Sequence, residues 1–220
     1  MHSNTEENYL KAIYKLAELN DHLAVSTNSI ANQVKTKAAS VSDMLKRLHN
    51  KKLINYEKYK GVTLSAKGKK EALHIIRKHR LWELFLVEKL SFAWDEVHEV
   101  AEQLEHIHSD ELVDKLDKFL GYPKFDPHGD PIPDKNGIMH TRKTKLLSEI
   151  KTNIKCVVTG VIDHTSTFLK YLDKIKIKIG DEIKVTEINE YDNSLHIILK
   201  KQNSLYISNT IAKNIIVELE

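Results

Sequence analysis

The chain has 220 residues, 41% hydrophobic and 30% charged, with a formal net charge of +3, enough for one large domain or two to three small ones. So small a net charge confines any nucleic-acid surface to a local patch, and no apolar run approaches the roughly 18 residues of a membrane span. The single cysteine, Cys156, excludes an intrachain disulfide; with a polar N-terminal segment lacking a signal-peptide core, it predicts a reducing, cytoplasmic location.

Residues 5–19 place Tyr9, Leu10, Ile13, Tyr14, Leu16 and Ala17 at helical spacing, opened by Thr5 with Asn8 and closed by Asn20-Asp21. A second helix is predicted over Ser29–Val34, with Ser26, Thr27 and Asn28 as cap candidates. After a break at residues 35–37, a third covers Ala39–Asn50 on the stripe Val41, Leu45, Leu48. Residues 53–56 and 62–64 form two short strands joined by a hairpin in which Gly61 can take a positive φ. A cationic helix follows over Ser65–Arg80, then two or three helices over Leu81–Leu120. Their surplus of large apolar side chains (Trp82, Phe85, Leu90, Phe92, Trp94) suits an oligomer interface. All four prolines lie in residues 121–135, a non-helical connection. Arg142, Lys143 and Lys145 read as a solvated linker. From about Ile154 the apolar period becomes two, with strands expected at Lys174–Gly180, Glu182–Val185, His196–Leu199 and Ile215–Val217, and a turn at Asp192-Asn193. About five short strands suggest a small β-barrel.

Helix, short turn, helix and two-stranded hairpin is the layout of a winged helix-turn-helix. The third helix and the turn before it offer Lys37, Ala39, Ser40, Ser42, Asp43, Lys46 and Arg47 to DNA, and the hairpin tip adds Lys58 and Lys60. Ser and Asp reach base edges, whereas Lys and Arg hold phosphates. The plain alternative is a three-helix unit with a solvated charged face.

Between Val97 and His106 a helix gathers His98, Glu102, Glu105 and His106 in an arc of about 100°, apart from an apolar arc of about 120°. His79 and Glu83 share one face of the preceding helix, four residues apart. If the two helices pack together, His79, Glu83 and His98 can share one ion. Glu102, Glu105 and His106 can share a second, with Asn8 of the first helix as a further ligand. Imidazoles with carboxylates suit manganese, iron, cobalt or zinc. A solvated polar face with local Glu/His contacts explains the same spacing. No protease spacing, phosphate loop or nucleophile elbow accompanies these residues.

The whole pattern resembles the diphtheria-toxin-repressor and manganese-transport-regulator family. The motifs that carry the resemblance are Thr5-Glu6-Glu7-Asn8-Tyr9-Leu10, Ser40-Val41-Ser42, Tyr56-Glu57-Lys58-Tyr59-Lys60-Gly61, Arg77-Lys78-His79-Arg80-Leu81, Glu105-His106, Ser109-Asp110-Glu111 and residues 126–133. The resemblance implies a mainly α chain with a C-terminal β domain. Its units would be a winged helix-turn-helix (1–72), a helical metal-binding and dimerisation domain (73–140) and an SH3-like, FeoA-like small barrel (141–220).

His79, Glu83 and His98 match the family's ancillary site, and Glu102, Glu105 and His106 its primary site. Asn8 stands where members use Met or Asp, and Lys11 where some manganese sensors supply a carboxylate. Asp126 and His128 match loop ligands of some relatives, and His164 or Asp163 matches a ligand from the last domain. An oxygen ligand at Glu102 in place of a thiolate favours manganese. The function implied is a homodimeric repressor whose grip on operator DNA rises with Mn²⁺ or Fe²⁺. It implies no catalysis, no small-molecule substrate and no membrane. A metalloenzyme built on the His/Glu face, or a DNA-binding protein independent of metal, stands as the alternative.

Overall fold

The computed structural model describes residues 2–20, 23–57, 60–199 and 204–219. Helix α1 (Asn4–Leu19) begins one signal earlier than Thr5. Ser3 accepts the amide of Glu6, whose carboxylate in turn accepts the amide of Ser3, a capping box. Helix α2 (Thr27–Gln33) is capped by Ser26, and α3 (Ala38–Asn50) follows a turn in which Lys35 takes φ 51°. Val41, Leu45 and Leu48 are fully buried against Leu10, Ile13, Ile30 and Leu53. Burying each such aliphatic side chain is worth about 1.5–3 kcal/mol. Strands β1 (Ile54–Glu57) and β2 (Gly61–Leu64) pair antiparallel as the wing, with Gly61 at φ 92°.

The cationic helix does not stop at Arg80. Helix α4 (Ala66–Leu90) runs unbroken for 25 residues, about 37 Å. No Pro or Gly interrupts it after Gly68, so nothing in the chain ends it before Ser91, which takes the left-handed conformation as its C-cap. Its first half packs Ala72, Leu73, Ile75 and Ile76 into the core of the winged unit. Its second half meets α5 (Val97–Leu104) and α6 (Asp110–Phe119). Trp82, Phe85 and Phe119 meet edge to face along α4 and α6.

Residues 121–135 form an irregular loop strapped to α4 by Arg80, which bonds the carbonyl of Pro131 and the carboxylate of Asp130. Beyond it come β3 (Thr144–Leu146), a 3₁₀ turn (Leu147–Glu149), β4 (Lys155–Val161), α7 (Ser166–Ile175) and β5 (Glu182–Ile188). The chain then closes with β6 (Leu195–Leu199), β7 (Ser204–Ile207), the short α8 (Asn209–Ala212) and β8 (Ile215–Leu219). The six strands form one antiparallel sheet in the order β3-β8-β4-β5-β6-β7.

The Lys/Ile alternation over Lys174–Gly180 is not a strand. Phe168, Leu169, Leu172 and Ile175 give this stretch a helical stripe, capped by Thr165 and ended by Lys176 at φ 60°. Among the described residues no helix is long and apolar enough to cross a membrane.

Candidate metal centre

Glu83 lies at the middle of the first cluster. One turn of α4 separates it from His79, whose Nε2 lies 3.0 Å from Glu83 Oε1, and α5 brings His98 Nδ1 to 3.3 Å from the same oxygen. The proline-rich loop adds His128, its Nδ1 3.9 Å from Glu83 Oε2. These groups fall into two sets of mutually close ligand atoms, His79–Glu83–His98 and Glu83–Asp126–His128. A cavity of about 20 Å³ beside them, lined by His79, Glu83, His98, Asp130 and His164 together with Lys11, Lys15 and Arg80, has room for one water-sized occupant.

The loop is placed by close backbone contact. Gly129 has φ 91°, and a Cβ there would lie 2.1 Å from the carbonyl oxygen of Thr159 on β4. The carbonyl of His128 accepts the amide of Val161, and its Nε2 lies 2.8 Å from the Trp94 carbonyl. A carbonyl only accepts, so the proton sits on Nε2 and the Nδ1 lone pair faces Glu83. That Nδ1 is buried and has no hydrogen-bond partner among the described residues. Burial keeps the His128 imidazole neutral, against the pull of Glu83. A lone pair aimed at a carboxylate fits a cation between them, and the donor set suits a borderline divalent ion.

His79 joins this cluster to the next. Its Nδ1 lies 2.6 Å from Glu105 Oε2. Burial opposes its imidazolium, but hydrogen bonds to Glu105 and Glu83 outweigh burial and raise its pKa. Burial likewise opposes ionisation of Glu83, yet His79 and His98 hold its carboxyl well below the usual range.

At the second cluster Lys11 Nζ lies 2.6 Å from Glu102 Oε1, and 2.6 and 2.7 Å from the two oxygens of Glu105. Burial opposes the charge on Glu102, and Lys11 more than offsets it, lowering that pKa. His106 departs from the grouping read from the sequence. α5 ends at Leu104, and the imidazole turns to Glu7, with Nδ1 2.6 Å from Oε2, while its Nε2 stays 3.9 Å from Glu105. The ligand atoms that gather with Glu102 and Glu105 belong to His79. Asn8 Oδ1 is buried and makes no hydrogen bond among the described residues. His164 stacks on His128 with ring centroids 4.8 Å apart and bonds the Val161 carbonyl; it lines the cavity without joining a ligand set. Asp163 is occupied by the amide of Thr165.

Sequence reading missed Glu7 and the use of Lys11. Both lie on α1 at i and i+4, a spacing that signals a shared face. Of the residues offered to DNA, Lys37, Ala39, Ser40, Asp43, Lys46 and Arg47 are exposed, opposite the buried stripe of α3. Ser42 is half-buried and donates to the Ala38 carbonyl, and Lys46 pairs with Asp43. Lys60 is exposed on the wing beside Glu57; Lys58 lies outside the described residues.

Three family models tile the chain: an iron-dependent repressor N-terminal DNA-binding domain over residues 1–62, an iron-dependent repressor metal-binding and dimerisation domain over 65–134, and a FeoA domain over 145–219. A structure titled as the manganese regulator SloR is 35% identical, with 98% of each chain covered and a TM-score of 0.73. The chain belongs to the iron-dependent repressor family. A second solved member, a manganese-dependent transcriptional repressor in complex with manganese, is 30% identical with a TM-score of 0.86, covering 98% of this chain and all of that one. The diphtheria toxin repressor of Corynebacterium jeikeium is 28% identical over 192 residues, 87% of this chain and 78% of that protein. These iron-dependent repressor relatives are transcriptional regulators, which sets the metalloenzyme alternative aside. As in the solved members, a winged helix-turn-helix, a helical domain and an antiparallel FeoA domain follow one another.

Proposed function

We propose that this family member is a cytoplasmic, homodimeric repressor that binds operator DNA more tightly when Mn²⁺ or Fe²⁺ is held around Glu83. The single observation that carries this reading is the unpaired, buried Nδ1 of His128 facing the Glu83 carboxylate beside His79 and His98. When bound, the ion supplies positive charge that joins imidazoles and carboxylates from separate elements. The residues that would hold it are His79 and Glu83 of α4, His98 of α5 and His128 of the loop, with His164 at the edge.

Helix α4 makes the link to DNA. One half carries His79 and Glu83, and the other is part of the core beneath α3 and the wing. Fixing α4 against α5 and the loop therefore fixes the recognition unit. We read residues 1–72, 73–140 and 141–220 as DNA-binding, metal and dimerisation, and FeoA-like units, with the first boundary inside α4. The aromatic face of Trp82, Phe85 and Phe119 suits the second copy, and Phe119 is 65% exposed in the single chain. We read Lys37, Lys46, Arg47 and Lys60 as phosphate contacts, and Ala39, Ser40, Ser42 and Asp43 as facing base edges. Cys156 is buried, consistent with a reducing compartment.

To test this, duplexes are selected from a random pool with Mn²⁺ present, and their affinity is then measured with and without chelator. The expected ratio is roughly 5–150-fold, a typical coupling between two sites. Equal affinity in both conditions refutes the reading.

A further inference from the structure

We propose that the ammonium of Lys11 stands in for a divalent ion between Glu102 and Glu105, so that this chain takes up metal only around Glu83. The ammonium has three donors, and three carboxylate oxygens lie within 2.7 Å of it. These are lengths of charge-assisted hydrogen bonds. Lys11 is 6% exposed and Glu105 fully buried, so the pair is built into the interior rather than laid over its surface.

With Lys11 in place, the other groups expected at an ion site here are turned elsewhere or bring no charge. His106 is committed to Glu7. Asn8 is an uncharged amide in the place where the resemblance predicts Met or Asp. An ion entering between Glu102 and Glu105 would have to displace the Lys11 ammonium from all three of these oxygens. The site therefore does not fit a divalent ion while Lys11 is in place.

The consequence is mechanical. α1 carries Tyr9, Leu10 and Ile13 in the core of the DNA-reading unit, and Lys11 ties that helix to Glu102 of α5 and to Glu105 at its C-terminal end. This clamp stays closed at every metal concentration, and the metal response belongs to the Glu83 cluster alone. Only this last clause rests on the proposed function; exclusion at Glu105 stands on the Lys11 geometry.

The test is the number of Mn²⁺ ions bound per chain by the full-length protein, measured by elemental analysis and by titration followed with electron paramagnetic resonance. The wild type is expected to bind one ion without cooperativity, and Lys11→Met two. Two ions in the wild type, or equal numbers in wild type and Lys11→Met, overturns the proposal. No ion in the wild type with one in Lys11→Met supports exclusion by Lys11 while removing the reading at Glu83. Should Lys11→Met fail to fold, Glu83→Gln decides. With Lys11 intact it is expected to bind no ion, and an ion retained there but lost on adding Glu105→Gln overturns the proposal.

Discussion

His79 Nδ1 lies 2.6 Å from Glu105 Oε2, and the same ring reaches Glu83 through Nε2 at 3.0 Å. One imidazole thus bridges the two carboxylates that sequence spacing assigned to different ions. Its pKa is raised because the hydrogen bonds it donates to both carboxylates outweigh burial. A folded pKa above the unfolded value of about 6.5 gives stabilisation that is fully present below pH 6.5. It is lost as pH rises through the folded value. In chelator, the melting-temperature advantage of wild type over His79→Gln is therefore expected to shrink from pH 6 to pH 9. Metal binding needs the neutral ring, so Mn²⁺ affinity is expected to rise over the same interval; an advantage that grows with pH in chelator contradicts this bridge.

Lys11→Met removes one partner of a buried ion pair and leaves Glu105, which has no exposed surface, without its ammonium. Breaking such a pair typically costs about 3–5 kcal/mol. Urea unfolding of the chelated protein is expected to show a loss of this size, partly recovered by added Mn²⁺. An unchanged midpoint in chelator means the pair contributes nothing to the fold.

His128→Phe keeps an aromatic ring between Trp94 and His164 and removes Nδ1. Its Mn²⁺ affinity is expected to fall by at least the roughly 10–100-fold that changing an outer-shell partner costs, with only the small drop in melting that follows from losing the Nε2 bond to the Trp94 carbonyl. Gly129→Ala is expected to lower affinity by another route. At φ 91°, a Cβ would meet the Thr159 carbonyl at 2.1 Å, so the loop carrying His128 must lift from β4. This variant loses stability as well as metal, and calorimetry distinguishes the two cases.

Lys60→Ala removes an exposed cation from the wing. If that cation meets phosphate, affinity falls about equally across duplex sequences, and the slope of log affinity against log salt drops by about one. An unchanged slope places Lys60 away from the backbone.

Much of the DNA-reading unit was legible because a few local signals agree. The Val41, Leu45, Leu48 stripe, the Ser26 cap and the left-handed Gly61 each admit few alternatives. The i, i+4 spacing of His79 and Glu83 was equally plain on a helix with no breaker after Gly68. His106 was not legible as a partner of Glu7, because the choice depends on how α1 crosses the end of α5, 99 residues away in sequence. Lys174–Gly180 misled because alternating Lys and Ile satisfies a period of two locally, while Phe168, Leu169 and Leu172 draw its first residues into α7. Lys11 stood out only as a departure from the family pattern; its use became visible when Glu102 and Glu105 were placed around its ammonium.

Coupling between the Glu83 cluster and DNA is reciprocal by thermodynamic necessity. The most direct test is the Mn²⁺ affinity of the full-length protein, measured with and without a saturating selected duplex. The duplex is expected to tighten Mn²⁺ binding by the same factor by which Mn²⁺ tightens DNA binding, and Glu83→Gln to abolish the effect. Mn²⁺ affinity that is identical with and without the duplex contradicts a metal-controlled grip on DNA.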